Sequence, residues 1–178
     1  MSANHRYLKG VMNPIIAPVN GNIVIYAGDL VCRNGYRGMM GSGVTADFTT
    51  YPFNLINTVG ASVVAQASHM AQNFLGVAME SSPSGVTENI TVATSGVFRY
   101  PVHDTIVGGA VTVGALISAV SNSSITAGAG PSAQHVIHGT AGGNMSTCYL
   151  GYIIKTESGA SFVDFQLRTT FGAGGLAS

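Results

Sequence analysis

The stretch Phe162-Val163-Asp164-Phe165-Gln166-Leu167-Arg168 alternates strictly between apolar and polar side chains from Val163 onward. Because successive side chains of a β-strand point to opposite faces, this pattern predicts a strand with one buried and one solvated face. Similar short apolar runs, separated by clusters of Gly, Asn, Asp, Pro and Ser, predict strands at Asn22–Ala27, Leu30–Cys32, Leu75–Met79, Ile90–Ala93, Val97–Val102, Ala110–Val113, Leu116–Val120, Tyr149–Lys155 and Ser161–Thr169. The chain is therefore predicted to be mainly β, as a single compact β-barrel-like or β-sandwich-like domain.

The segments outside these runs set the predicted organisation of the chain. Near the N-terminus, Pro14 and Pro18 favour extended backbone. Elsewhere, Gly- and Ser-rich stretches predict long loops, and one segment has the composition of a short helix. The predicted organisation is an extended N-terminal arm at residues 1–20, a β domain at 21–171 with long loops at about 33–64 and 121–147 and a short helix at 65–74, and a flexible tail at 172–178.

Charged side chains are scarce: seven Lys and Arg balance seven Asp and Glu, and together they make up 8% of the 178 residues. An ordinary soluble domain carries roughly 25%. Seven scattered cations predict no basic stripe for nucleic acid. The segment between Asp104 and Lys155 carries no charge, but polar residues interrupt it too often for a membrane span. Since a near-neutral surface is poorly protected against association, we predict a surface that partners cover.

No group of residues has the spacing that catalysis or metal binding requires. The histidines and cysteines form no zinc-binding motif, and the acidic residues stand singly, most of them beside turn-forming residues. We therefore predict a protein that is not an enzyme, with no catalytic, cofactor-binding or metal-binding residues and no cofactor. For Cys32 and Cys148, two reduced thiols or one disulfide remain alternatives, because the sequence does not decide between them.

Several short blocks follow one another in a recognisable order. They are Ala27–Val31, Asn73–Met79, Ile90–Val92 leading into Gly96–Val102, Val107–Val111 with Leu116–Ser118, Leu150–Ile154 and Phe162–Arg168. In this order the chain resembles the small decoration, or cement, proteins of tailed-bacteriophage heads. The resemblance implies a β-barrel-like domain, usually trimeric, on the outer surface of the head. There it clamps adjacent subunits of the major capsid protein and stabilises the shell.

The resemblance sets the expected partners and location. We expect a structural virion protein on the outer capsid surface, made in the host cytoplasm, that binds the major capsid protein and its own copies as a homotrimer, and neither nucleic acid nor a membrane. Because the arm is extended and Arg is enriched at interfaces, the candidate capsid or trimer contacts are Arg6, Lys9, Pro14, Pro18, Arg33, Arg37 and Arg99. The alternatives are another phage structural subunit (a tail-tube, fibre or head-fibre component) and a secreted β-rich binding module.

Overall fold

The computed structural model describes residues 6–19, 21–33, 50–52, 73–101, 112–119, 136–138, 149–156 and 162–169. Within these ranges lie eleven strands: β1 (Arg6–Lys9), β2 (Pro14–Ala17), β3 (Leu30–Arg33), β4 (Thr50–Pro52), β5 (Phe74–Ala78), β6 (Ile90–Ala93), β7 (Ser95–Pro101), β8 (Leu116–Ala119), β9 (Val136–His138), β10 (Tyr149–Thr156) and β11 (Phe162–Arg168). The prediction of a mainly β chain is confirmed.

The strands form two antiparallel sheets. The six-stranded sheet has the order β1-β7-β11-β10-β8-β9, and the five-stranded sheet has the order β2-β6-β5-β3-β4. Over the described residues the sheets are not closed into a barrel. Of the barrel-like and sandwich-like domains that the sequence left open, the described residues do not form the barrel-like one.

The chain passes twice between the two sheets at one corner of the molecule. Thr94 separates β6 from β7, and residues 10–13 separate β1 from β2. The Thr94 N–H and hydroxyl both donate to the Asn13 carbonyl, at 3.2 and 2.6 Å. The Ser95 hydroxyl accepts from the Asn13 N–H at 3.2 Å and donates to the Val11 carbonyl at 2.7 Å. Hydroxyl groups therefore supply hydrogen bonds where the bend interrupts the strand ladders.

The six-stranded sheet has one buried and one more polar face, which confirms the alternation in Phe162–Arg168. Phe98 pairs with Phe165 across β7 and β11, and both side chains are buried. The rings of Tyr100 and Phe165 meet edge to face, with centroids 5.6 Å apart. Since paired residues share a face, Arg99 and Asp164 lie together on the opposite side.

The central strands of the five-stranded sheet, β3 and β5, are buried on both faces. On one face the sheet's side chains pack against the segment before β3 in a single apolar cluster of Ala17, Val19, Ile25, Val31, Leu75, Ala78, Ile90 and Val92. Strand register places Leu30, Val77 and Ala93 on the opposite face, where each is at most 2% exposed. A doubly covered sheet needs nearly continuous apolar strands, and all five residues of β5 are buried.

Gly76 in β5 permits a close approach between two strands. Its φ of +148° is rarely adopted by residues with a side chain, and a Cβ built there would overlap the carbonyl oxygen of Ala93 on β6. The glycine is therefore a steric requirement for pairing β5 with β6.

The prediction of a strand at Asn22–Ala27 is wrong. Only an isolated bridge forms there, in which Ile25 and Ser82 exchange backbone hydrogen bonds of 2.9 and 2.8 Å. Ile23 and Ile25 face the five-stranded sheet while Val24 and Tyr26 are exposed. The alternating pattern therefore reflects a segment that covers one face of a sheet with its apolar side chains and does not pair as a strand at the sheet edge.

Other predicted segments differ from the structure in ways that pairing explains. Of the residues expected to form an arm, the described ones at 6–19 supply β1 and β2 to the two sheets. Each predicted long loop contains a short strand, β4 or β9, and residues 112–113 lie in a turn rather than a strand. The predicted helix lies outside the described residues except at its end, where β5 begins, and the tail lies outside them entirely.

Candidate interaction site

The N-terminal edge, which we define as residues 6–18, runs along both sheets. Strand β1 is an outermost strand of the six-stranded sheet, and β2 is an outermost strand of the five-stranded sheet. Among the described residues, no strand pairs with the second side of either one. The backbone N–H and C=O groups along that side are those that an added strand from a partner would use.

Large apolar side chains are exposed along this edge. Val11 is 78% exposed, Met12 36% and Ile16 66%. Pro14 begins β2, where its missing N–H costs little because an edge strand has an unpaired side. Full burial of a Val, Ile or Met side chain stabilises a contact by about 1.5–3 kcal/mol. The N-terminal edge therefore offers a partner both apolar surface and backbone pairing.

Four of the seven sequence-predicted contacts lie on the N-terminal edge. Arg6 and Lys9 are the first and last residues of β1, Pro14 begins β2, and Pro18 follows β2. The side chains of Lys9, Pro14 and Pro18 are exposed. Nothing in the sequence singled out the exposed apolar residues between them, because a run of apolar residues ordinarily predicts burial.

The remaining predicted contacts are not part of this edge. Arg33 ends β3 inside the five-stranded sheet and is half-buried. Arg99 lies within β7 of the six-stranded sheet, and Arg37 lies outside the described residues. The seven residues therefore do not form a single site.

Arg99 forms a bidentate ion pair with Asp164 on the neighbouring strand. Its Nε and Nη2 atoms donate to the two carboxylate oxygens at 2.6 and 3.0 Å. The Arg99 side chain is 28% exposed and that of Asp164 is 9% exposed. Because the guanidinium group is held by the neighbouring strand, Arg99 stabilises the pairing of β7 with β11.

Cationic side chains share the face of the six-stranded sheet that carries this pair. Lys155 is the register partner of Asp164, and Lys9 stands opposite Val97. Arg168 lies over the ring of Tyr152, with its Cζ atom 5.4 Å from the ring centroid. We call the set Lys9, Arg99, Lys155, Asp164 and Arg168 the charged face. Lys9, Lys155 and Arg168 are exposed on it.

Tyr100 joins the six-stranded sheet to the segment before β3, next to the buried carboxyl group of Asp29. The Tyr100 hydroxyl donates to the carbonyl of Gly28, which precedes Asp29. Asp29 is 1% exposed, its Oδ2 accepts from the Tyr26 N–H at 2.9 Å, and its Oδ1 has no hydrogen-bond partner among the described residues. Burial raises the pKa of Asp29 from 3.8 to about 7, opposed by the Tyr26 hydrogen bond.

The same burial raises the pKa of Tyr100 well above its ordinary value of 10.0, with a smaller contribution from the charge of Asp29. Tyr100 is 0% exposed. A carboxyl and a phenol with shifted pKa values are typical of catalytic sites, but here neither reaches the surface. Their arrangement fits a structural link between the six-stranded sheet and the segment before β3.

The part of the chain that the structure describes has neither a membrane-spanning helix nor a metal site. It contains no helix long and apolar enough to cross a membrane. It also contains no group of three His, Cys, Asp or Glu side chains placed to hold a metal ion. Cys32 is buried in β3, and its predicted alternative partner Cys148 lies outside the described residues.

Comparisons of the chain with family models, with curated proteins and with solved structures found no match. Function is therefore inferred from the sequence and from the surface geometry described above.

Proposed function

We propose that this chain is a decoration, or cement, protein of a bacteriophage head. In this proposal it binds the outer surface of the shell as a trimer and stabilises contacts between major capsid protein subunits. The observation that carries the proposal is the N-terminal edge, where Val11, Met12 and Ile16 are exposed beside two outermost strands. The order of the sequence blocks that resemble decoration proteins supports the same function.

The scarcity of charge is consistent with a surface that partners cover. Small polar and apolar side chains pack against a neighbour without the cost of desolvating unpaired ions. Each contact of such a subunit is weak, but a trimer that engages several capsid subunits gains avidity of about 10²–10⁴-fold from effective concentration. A weak edge contact is therefore sufficient for stable decoration.

The test is a titration of empty heads with the purified chain, with occupancy and heat resistance of the heads as the two measurements. We expect saturable binding and an increase in the temperature at which the heads break down. Heads that bind no chain, or that gain no heat resistance, contradict the proposal. Assembly of the chain into tubes without heads favours the alternative of a tail component.

A variant of the N-terminal edge identifies the surface that binds. Ile16→Lys removes an apolar side chain that is two-thirds exposed, and we expect about tenfold weaker head binding from a loss of about 1–2 kcal/mol. The matched control is Val24→Lys, an exposed position outside this edge that is expected to bind normally. Cross-linking mass spectrometry on decorated heads supplies a second test. Cross-links from Lys9 only to the chain's own copies argue against a capsid contact at this edge.

A further inference from the structure

The chain has no net charge, but the described strands of the six-stranded sheet carry most of its positive charge. Five of its seven Lys and Arg belong to strands of the six-stranded sheet, whereas Asp164 is the single acidic residue in those described strands. Five cations against one carboxylate leave these strands with a formal charge of +4. The cations are Arg6, Lys9, Arg99, Lys155 and Arg168.

Cross-strand register concentrates this charge on the charged face. Asp164 is the register partner of Arg99 on one side and of Lys155 on the other. Arg168 lies four residues along the same strand from Asp164, and therefore on the same face. The charged face holds four cations, Lys9, Arg99, Lys155 and Arg168, against the single carboxylate of Asp164, so its formal charge is positive.

Exposed negative charge lies on the other sheet. Glu80 and Glu88 are exposed in the segment between β5 and β6, residues 80–88, which we call the acidic turn. The Glu80 carboxylate is held in place by the Thr91 N–H and hydroxyl, at 3.1 and 3.2 Å. The chain has no Lys or Arg between Arg37 and Arg99, so no cation within this turn or its flanking strands neutralises it.

We propose that the charged face of one copy of this chain binds the acidic turn of a second copy. This contact rests on the proposed function, which includes self-association of the chain. It names the two surfaces through which the copies associate. A two-fold pairing of charged faces would place like charges against each other, which opposes association. Two different surfaces instead form a head-to-tail contact, which closes into a ring or continues as a filament.

The charged face also raises the alternative of nucleic-acid binding, which its geometry favours less. The Arg99 guanidinium is engaged by Asp164, and Arg168 covers the ring of Tyr152, a ring that would otherwise stack on a base. A short single-stranded DNA is therefore the competing ligand in the test.

The test measures self-association of the purified full chain by sedimentation at low and high salt. Between about 0.05 and 0.5 M salt the Debye length falls from about 14 to about 4 Å, and we expect association to weaken accordingly. Glu88→Lys and Lys155→Glu are each expected to weaken association by about tenfold. The combined variant, which exchanges the two charges, is expected to regain most of it.

A control variant separates this contact from a nonspecific effect of added charge. Val113→Lys adds one positive charge at an exposed turn outside both surfaces and is expected to leave association unchanged. A chain that stays monomeric at low salt, associates independently of salt, or is not restored by the charge exchange overturns the proposal. DNA binding without salt-sensitive self-association also overturns it. Head binding is measured separately, so the loss of this contact is distinguished from a failure of head decoration.

Discussion

Substituting Asn for Asp29 replaces a buried carboxyl group by a side chain of nearly the same shape that cannot ionise. In the wild-type chain, burial raises the pKa of this carboxyl group from 3.8 to about 7. The folded state therefore holds the proton more tightly than the unfolded state. The resulting contribution to the free energy of unfolding is fully present below pH 3.8 and is lost as the pH rises through about 7.

The pKa difference sets the size of this effect. The interval from 3.8 to about 7, at about 1.36 kcal/mol for each pH unit, corresponds to about 4 kcal/mol. Asn keeps an oxygen to accept the Tyr26 N–H, which donates to Asp29 at 2.9 Å. We therefore expect Asp29→Asn to be more stable than wild type by up to about 4 kcal/mol above pH 8, with a much smaller difference near pH 4.

Urea denaturation followed by far-UV circular dichroism measures the difference, since the chain has no Trp. The free energy of unfolding is determined for both proteins between about pH 4 and pH 8.5. Glu88→Gln, which removes an exposed carboxylate, is the matched control for a general change in charge. A difference between Asp29→Asn and wild type that does not change with pH, or a wild type that is the more stable at high pH, refutes the reasoning.

Three further substitutions test individual contacts by their free energies of unfolding. Tyr100→Phe leaves a buried carbonyl without its donor and is expected to cost about 1–3 kcal/mol, so an unchanged denaturation midpoint would rule out that hydrogen bond. Arg99→Met is expected to cost about 1.5–3 kcal/mol. A double variant with Asp164→Leu should cost less than the sum of the single changes, and strict additivity would show that the pair does not interact. Gly76→Ala is expected to cost more than about 3 kcal/mol by forcing two strands apart, whereas Gly85→Ala, with open space around it, is expected to cost about 1–2 kcal/mol. Equal costs at the two glycines would contradict the steric argument.

The sequence predicted the bounds of three strands closely. Ile90–Ala93 was predicted with its observed bounds, and Tyr149–Lys155 and Ser161–Thr169 differ from β10 and β11 by at most one residue at each end. Strands β10 and β11 alternate between more buried and more exposed side chains, so their local pattern and their tertiary burial agree. At Asn22–Ala27 the same alternation serves a segment that covers a sheet, because periodicity reports burial and not hydrogen-bond pairing.

The candidate surfaces were predictable only in part. The extended backbone of the N-terminal segment followed from Pro14 and Pro18, but its incorporation into both sheets depends on strands β6 and β7, more than 70 residues away. Whether apolar residues such as Ile16 are exposed depends on which strands become outermost. Strand order is a property of the whole sheet, which no local pattern specifies.

The sequence by itself determined the mainly β class, the low density of charge and the lack of a familiar catalytic motif, because each depends on composition or on short-range pattern. The tertiary structure alone decided where the few charges lie. Residues that are scattered along the chain, such as Lys9, Lys155 and Arg168, share one face because antiparallel register brings distant strands side by side. The physical reason is that pairing between strands is set by long-range hydrogen bonds and packing, whereas the alternation of faces is a property of each strand alone.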